Sequence, residues 1–212
     1  MDKDYWDKYY KEHSKDEEIS QSSSFAKFCN EYFKTKDSKN ILEIGSGNYR
    51  DAKFFASKGH TVYAIDQSRY GFEDKDLKNI IQVSDNFVTM DYSKYKNIDI
   101  VYSRFTLHAI KENECKIVID KISKMLKKET LFMIEVRSIK DPLCGQGTKV
   151  ANNTWVTDHS RRFVDSTKFK QYIKSKNFKI NYFVEENNLS IYKDDNPVLI
   201  RLVLEKVSNY EN

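Results

Sequence analysis

Two glycines and one acid, placed where apolar runs end, are the residues of this sequence best suited to hold a small ligand. The run 40–44 leads directly into Gly45-Ser46-Gly47, and glycines are needed where a loop turns tightly and lets a ligand approach the backbone. A second apolar run, 61–65, ends in Asp66, about 20 residues further on. At that spacing a carboxylate can accept two hydrogen bonds from the diol of a ribose. The pattern predicts a nucleoside-binding site at the ends of two strands.

The charge of this loop discriminates between two nucleoside cofactors. A nicotinamide dinucleotide would want a third glycine at position 50, for close approach to the pyrophosphate, and Arg50 stands there. Glu43 would also place a negative charge near two phosphates. S-adenosylmethionine has no phosphate and carries a sulfonium and an ammonium group, which a carboxylate attracts. We therefore predict S-adenosylmethionine as the cofactor, with a dinucleotide as the alternative.

The segments Ile41-Leu42-Glu43-Ile44-Gly45-Ser46-Gly47-Asn48 and Ala64-Ile65-Asp66 closely resemble the first two motifs of class I S-adenosylmethionine-dependent methyltransferases. The resemblance covers about residues 38–138, and the family's usual third glycine is absent. It implies that the glycine-rich loop faces the methionine moiety and that the acid of the second strand holds the ribose.

The same resemblance implies contacts to the adenine. Asp91, taken as the end of a third strand, is expected near the adenine amino group, with Tyr92 beside the ring. The alternative for Asp91 is a carboxylate that caps a loop. The full set of predicted cofactor-binding residues is Glu43, Gly45, Ser46, Gly47, Asp66, Gln67, Asp91, Tyr92 and Ser103.

The end of the fourth predicted strand carries the segment Tyr102-Ser103-Arg104-Phe105-Thr106-Leu107-His108. It lacks the Asn/Asp-Pro-Pro-Phe/Tyr motif usual in enzymes that methylate nucleobase or glutamine nitrogens. It resembles instead the Ser-Arg-Phe-x-Leu-His pattern of small-molecule methyltransferases, some of them encoded with bacterial capsule or phosphonate pathways. Arg104 and His108 are the catalytic candidates, with His108 as a general base that removes a hydroxyl proton. A structural or helix-capping imidazole is the alternative for His108.

Arginines gather near the same edge of the predicted sheet, although lysine dominates the positive charge elsewhere. By the resemblance, a loop-rich insertion at residues 139–164 covers the acceptor. A guanidinium offers a fixed fork that suits carboxylate and phosphate oxygens. We therefore predict a small anionic acceptor, methylated at oxygen. The predicted acceptor-binding residues are Tyr9, Arg104, His108, Arg137, His159, Arg161 and Arg162. Ordinary salt bridges to Glu135, Asp141 and Asp158 are the alternative for the arginines.

The order of the elements predicts the fold that positions these residues. Strand-like runs at 40–44, 61–65, 87–90, 98–103 and 131–136 alternate with helical segments at 51–58, around 70–82 and at 112–128. Such alternation implies a parallel sheet with right-handed crossovers. After a helix beyond residue 165, the runs 179–183 and 198–207 follow without an intervening helix, which predicts an antiparallel pair at one edge. The predicted fold class is α/β, a doubly wound, mostly parallel, seven-stranded Rossmann-like sheet with an antiparallel edge strand.

We expect one methyltransferase domain over residues 1–212. Helices are predicted at 4–14 and 22–36, and residues 1–36 are expected to form a helical lid because the first helix is rich in aromatic residues. The carboxylates and histidines are dispersed rather than set at ligand spacing, so no metal is expected.

Composition limits the remaining possibilities. With 39% hydrophobic and 32% charged residues, the chain is typical of globular rather than disordered proteins. Three dispersed cysteines and a charged N-terminus predict a cytoplasmic protein, and no apolar run approaches the roughly 20 residues of a membrane span. A net charge of +4 from scattered lysines argues against a nucleic-acid partner. The alternatives to a small-molecule methyltransferase are a nucleic-acid methyltransferase and a non-catalytic S-adenosylmethionine-binding protein.

Overall fold

The structure, a computed structural model, describes residues 3–13, 20–68 and 78–208, except for the side chains of residues 3 and 4. The helices are α1 (Lys3–Glu12), α2 (Ser24–Tyr32), α3 (Arg50–Ser57), α4 (Glu112–Met125) and α5 (Ser166–Lys174). The strands are β1 (Asn40–Ile44), β2 (Thr61–Asp66), β3 (Ile80–Ser84), β4 (Ile100–Arg104), β5 (Leu131–Arg137), β6 (Thr148–Ala151), β7 (Thr154–Val156), β8 (Ser160–Arg162), β9 (Phe178–Glu186) and β10 (Leu199–Lys206).

Seven strands form one sheet in the order β3-β2-β1-β4-β5-β10-β9. The first five of these pair in parallel, and β10 pairs antiparallel with both β5 and β9. The predicted α/β class and the mostly parallel, seven-stranded sheet are confirmed, as is the antiparallel pair formed by the last two strands. The strand that runs against the others is β10, which lies one place in from the edge because it inserts between β5 and β9.

Helices cover both faces of the sheet, as a doubly wound fold requires. Phe25 of α2 and Phe55 of α3 belong to one buried cluster, and Ile122 of α4 and Ile173 of α5 belong to the other. The central strands are therefore buried on both sides, which is why β1 and β4 read as nearly continuous apolar runs. Functional side chains of such a sheet emerge at the carboxyl ends of the strands.

The prediction of a strand at 87–90 is wrong, because the third strand is Ile80–Ser84 at the edge of the sheet. Phe87 and Met90 are buried, but they belong to a turn closed by the bond from Met90 N–H to Asn86 O (2.8 Å). Apolar side chains that point into the core from a turn resemble those of a buried strand. A helix was also expected around 70–82. Its residues 70–77 lie outside the described residues, and residues 78–82 form a turn and the start of β3.

The insertion at 139–164 contains more regular structure than the loop that was expected. Its strands form a three-stranded antiparallel sheet in the order β6-β7-β8. The backbone N–H of Phe163 also donates to Asn153 O at 2.7 Å, and Ser138 is bridged to Val164. The insertion is therefore anchored at the carboxyl end of β5.

We expect Glu135→Gln to lower the free energy of unfolding by about 3–5 kcal/mol. Glu135 is completely buried and accepts hydrogen bonds from Arg104 Nε (2.9 Å) and Arg201 Nε (2.6 Å), so the variant would leave two buried guanidinium groups without their counter-charge. Urea denaturation followed by circular dichroism measures the change. Glu186→Gln, at an exposed position of β9, is the matched control and should stay within about 0.5 kcal/mol of the wild type. A loss in Glu135→Gln no larger than in this control would contradict the expectation.

Candidate active site

A cavity of about 780 Å³ opens at the carboxyl ends of the parallel strands. The loop after β1 and the end of β2 line one part of it. The helix α1, the insertion and the loop between β9 and β10 enclose the other part. The residues that line the cavity include Tyr5, Trp6, Tyr9, Tyr10, Glu43, Gly45, Ser46, Asp51, Asp66, Arg104, Phe105, His108, Arg137, Asp158, His159, Arg161, Ser190 and Asp195.

The glycine-rich loop has a backbone that only glycine can adopt without strain. Gly45 and Gly47 have φ angles of 74° and 54°. A Cβ atom on Gly45 would collide with Thr106 Oγ1, and one on Gly47 would collide with the phenol of Tyr10. The loop is also tied to β2, because Gly45 N–H and Ser46 N–H both donate to Ile65 O, at 2.8 and 3.0 Å. The two glycines let the turn after β4 and the helix α1 approach the loop.

Asp66, at the end of β2, closes this loop from the other side. Its Oδ2 accepts a hydrogen bond from Gly47 N–H and its Oδ1 accepts one from Ser68 N–H, both at 2.8 Å. Burial raises the pKa of this carboxyl group. A carboxylate can accept more hydrogen bonds than these, and the residue lines the cavity, so the position suits the predicted contact to a ribose.

Glu43 and Ser46 carry buried polar atoms that the protein does not satisfy. Among the described residues, Glu43 Oε2 and Ser46 Oγ have no hydrogen-bond partner. Burial raises the pKa of Glu43 well above its usual value, and the nearby charges of Asp51 and Asp66 raise it further. A cationic ligand with N–H donors would supply both the missing hydrogen bonds and the missing charge. The residues at this end of the cavity therefore fit S-adenosylmethionine.

Asp51 was not among the predicted site residues. Its buried carboxylate accepts hydrogen bonds from Ser23 N–H (2.7 Å), Ser23 Oγ (2.8 Å) and Tyr102 OH (2.7 Å). Its place in the first turn of the helix that follows the glycine-rich loop could have suggested a role. Tyr10 was missed as well, because a contact between α1 and a distant loop leaves no local signal in the sequence.

Several residues that were predicted to bind the cofactor lie outside the cavity. Within the described ranges, the side chains of Gln67, Asp91, Tyr92 and Ser103 do not line the cavity. Asp91 is exposed and accepts a hydrogen bond from Ser93 N–H at 2.9 Å, which is the loop-capping role given as the alternative. Tyr92 belongs to the core and donates to Phe87 O at 2.7 Å. The expectation that Asp91 ends the third strand is wrong, since β3 ends at Ser84.

The arginines of the site are paired with carboxylates of the protein itself. Arg104 Nε lies 2.9 Å from Glu135 Oε1. Arg137 contacts Asp141, at 3.0 Å, and Asp195. Such salt bridges were the alternative to acceptor binding by these arginines in the sequence analysis. Their charges are therefore balanced without an anionic acceptor.

The other two arginines that were predicted to bind the acceptor, Arg161 and Arg162, also have partners within the protein. Arg161, which lines the cavity, contacts the exposed carboxylate of Asp158 at 2.5 Å. Arg162 donates to Leu107 O and, at 3.0 Å, to Ile110 O, and it lies outside the cavity. The prediction that Arg162 binds the acceptor is not supported by this position.

Arg104 and Arg137 hold a wall of the cavity that sequence reasoning missed. This wall is the β9–β10 loop, residues 187–198. Arg104 Nη2 donates to Ser190 Oγ at 2.9 Å, and Arg137 contacts Asp195 of the same loop. The two side chains thus position the loop over the carboxyl ends of β4 and β5.

Aromatic rings of α1, of the turn after β4 and of the insertion form a second part of the cavity wall. Tyr5 and Trp6 of α1 pack against His159 of the insertion, with ring centroids 4.5 and 5.6 Å apart. Phe105 has a positive φ of 57°, which is uncommon for a non-glycine residue, and the guanidinium of Arg104 lies 4.1 Å from its ring centroid. Tyr9, which was predicted to contact the acceptor, lines this part too.

His108 lies in the turn after β4 and is buried. Its Nδ1 accepts a hydrogen bond from Arg137 N–H at 3.2 Å. Burial, together with the positive charges of Arg137 and Arg162, holds the pKa of this imidazole well below its usual value. Both observations oppose the predicted role of a general base.

The sequence model of the methyltransferase-domain family matches residues 17–182, so the chain belongs to this family. No curated protein matches the chain in sequence. The prediction of an S-adenosylmethionine-dependent methyltransferase, with that compound as cofactor, is confirmed. The narrower resemblance to enzymes of capsule or phosphonate pathways finds no support.

Solved structures share the fold at low sequence identity. A 1,6-didemethyltoxoflavin N1-methyltransferase from Burkholderia thailandensis, with bound 1,6-didemethyltoxoflavin and S-adenosylhomocysteine, is 12% identical, with a TM-score of 0.70 over 94% of this chain and 85% of that chain. An S-adenosylmethionine-dependent methyltransferase from Clostridium acetobutylicum is 13% identical, with a TM-score of 0.69 over 95% and 98% of the two chains. One from Methanosarcina mazei is 15% identical, with a TM-score of 0.71 over 84% and 97%.

In the described parts of the chain, no three His, Cys, Asp or Glu side chains are grouped as ligands for a metal ion. None of the described helices combines the length and the apolar character that crossing a membrane takes.

We expect the binding of S-adenosylmethionine to release a proton from Glu43. In the free protein the pKa of Glu43 is raised, and a bound cation would stabilise the ionised carboxylate and lower that pKa. Affinity should therefore rise with pH below the raised pKa of Glu43 in the free protein and level off above it. Isothermal titration in two buffers of different ionisation enthalpy measures the proton release. Glu43→Gln should abolish the release and Glu186→Gln should preserve it. A wild-type protein that binds the cofactor without releasing a proton would contradict the assignment.

Proposed function

We propose that the protein transfers a methyl group from S-adenosylmethionine to a small molecule with a flat ring, bound between α1 and the turn after β4. One observation carries the proposal: a single cavity joins the acidic end at the glycine-rich loop to an end walled by aromatic rings. Its volume of about 780 Å³ lies within the range of about 300–1,000 Å³ that is typical of small-molecule sites.

The cofactor would be held at the acidic end, by Glu43, Ser46 and Asp66. When bound there, S-adenosylmethionine supplies an electrophilic methyl group on a positively charged sulfur. The carboxylates of this end attract that charge, and Asp66 can accept further hydrogen bonds from the ribose hydroxyls. The helix α1 covers the glycine-rich loop through Tyr10 and contacts the insertion through the rings of Tyr5 and His159, and this cover would limit the access of water to the bound cofactor.

The charges of the cavity wall do not favour an anionic acceptor. Within the described parts of the chain, five carboxylates and four arginines line the cavity, and Arg104, Arg137 and Arg161 are all paired within the protein. We therefore propose an acceptor that is uncharged where it contacts the walls and is selected by its shape. The Burkholderia enzyme, a 1,6-didemethyltoxoflavin N1-methyltransferase, supports a small-molecule acceptor. The methylated atom would be a ring nitrogen or a ring hydroxyl oxygen.

The experiment combines methyl-labelled S-adenosylmethionine with pools of phenols and nitrogen heterocycles, and it measures labelled product and S-adenosylhomocysteine. We expect turnover with a compound from these pools and none with transfer RNA or DNA. Asp66→Ala should weaken cofactor binding by about 1.5–3 kcal/mol, as for a lost charge-assisted hydrogen bond, and should lower turnover accordingly. Turnover of a nucleic acid would favour the second class of methyltransferase, and cofactor binding without any turnover would favour a non-catalytic protein.

We expect Trp6→Ala to raise the KM for the acceptor about tenfold or more, because an aromatic wall contributes about 1.5–3 kcal/mol when a ring packs against it. The affinity for S-adenosylhomocysteine should change far less, since the ring of Trp6 packs against His159 of the insertion, with centroids 5.6 Å apart. Tyr32→Ala is the matched control, because Tyr32 is an exposed aromatic residue at the end of α2, away from the cavity. Equal effects of the two substitutions on the KM would contradict the proposed binding mode.

A further inference from the structure

The hydrogen bond to Nδ1 determines where the proton of His108 resides. The partner is the backbone N–H of Arg137, at 3.2 Å, and a backbone N–H can only donate. Nδ1 must therefore present its lone pair, so the neutral imidazole carries its proton on Nε2. Taking up a second proton at Nδ1 would break this bond and bury two opposed N–H groups.

The surroundings of the ring keep it neutral. The groups that face it are Arg137 from β5, Arg161 and Arg162 from β8, and His159 from the turn before β8, and all of them oppose a positive charge on the imidazole. The nearby carboxylates Asp141, Asp158 and Asp195 are paired with those arginines or with His159 and do not contact the ring.

The other nitrogen of the ring is available to a ligand. His108 lines the cavity, and among the described residues none accepts a hydrogen bond from its Nε2. Phe105 packs on the ring with centroids 5.4 Å apart and fixes its orientation. Because His108 lines the cavity, a ligand group that accepts a hydrogen bond from Nε2 is expected at this place when the site is occupied.

We propose that His108 acts as a neutral hydrogen-bond donor, which binds a lone pair of the methyl acceptor through Nε2–H and removes no proton. This rests on the proposed function of the cavity and specifies the acceptor further. The acceptor carries an oxygen or a ring nitrogen with an available lone pair next to the atom that is methylated. That atom forms the new bond to the methyl carbon, and the carbon–sulfur bond breaks with its electrons remaining on sulfur. Any proton on the acceptor atom is lost to bulk water when the methylated product leaves the cavity.

The position of the proton can be measured without an acceptor. Two-bond ¹H–¹⁵N correlation spectra of the protein with ¹⁵N-labelled histidine, saturated with S-adenosylhomocysteine, report the tautomer, and comparison with His108→Gln assigns the signals. We expect the Nε2–H tautomer, with no titration between about pH 5.5 and 8. An Nδ1–H tautomer, or a titration within that range, would overturn the proposal whether or not the protein shows turnover. Absence of turnover with an Nε2–H tautomer would instead count against the proposed function alone.

Kinetics with the acceptor found in the labelled-methyl assay separate a donor from a base. Glutamine keeps a side-chain N–H, so His108→Gln should retain activity within about tenfold, whereas His108→Leu should lose about a hundredfold. Equal inactivity of the two variants would indicate a base and overturn the proposal. The matched control is His60→Gln, because His60 is also buried and its Nδ1 also accepts from a backbone N–H, that of Lys39 at 3.2 Å. His60 lies outside the cavity, so its variant should keep full activity.

Discussion

Both oxygens of the Glu135 carboxylate are used inside the protein, one by Arg104 and the other by Arg201. A completely buried charge is tolerated only when its counter-charges and the remaining hydrogen bonds are in place. Arg201 also donates to Leu189 O at 2.7 Å, and Arg104 also donates to Ser190 Oγ at 2.9 Å. Three strands and the β9–β10 loop are thereby fixed by one acid in the centre of the sheet. The wall of the cavity depends on this arrangement, since the loop has no regular secondary structure of its own to position it.

The internal pairing of arginines has a consequence for selectivity. An anionic ligand at Arg104 or Arg137 would have to compete with Glu135, Asp141 or Asp195, and the free energy gained from the new pair would be offset by the loss of the old one. Attraction by net charge is therefore a weak basis for choosing an acceptor here. The acceptor must then be selected by its shape and by individual hydrogen bonds. Rigid groups provide both, namely the rings at the aromatic end and the fixed imidazole of His108.

The sequence predicted those features that depend on local pattern. Strands β1, β2, β4 and β5 are recognisable because burial on both faces makes them continuous apolar runs, and the glycine-rich loop and Asp66 because their spacing follows from the strand–loop–helix unit. The prediction of the third strand was wrong because Ile80–Ser84 is a half-exposed edge strand, which is less apolar than the turn that follows it. The pairing of the arginines could not be predicted uniquely, because Arg104 and Glu135 lie 31 positions apart and meet only through the register of β4 on β5. The contact of Tyr10 with Gly47 is long-range for the same reason.

The two ends of the cavity differ in charge in a way that suits methyl transfer. Transfer removes the positive charge from sulfur, so the carboxylates of Glu43, Asp51 and Asp66 stabilise the reactant cofactor more than its product. Such an interaction strengthens binding of the charged cofactor but does not lower the barrier of the transfer itself. Acceleration has to come from the other end, where the acceptor must be held in line with the methyl group and shielded from water. A neutral, rigid donor serves that purpose better than a cation would, because a positive charge beside the acceptor would weaken the nucleophile. The placement of a neutral His108 at the aromatic end, with every nearby arginine already paired or bound to backbone carbonyls, meets this requirement.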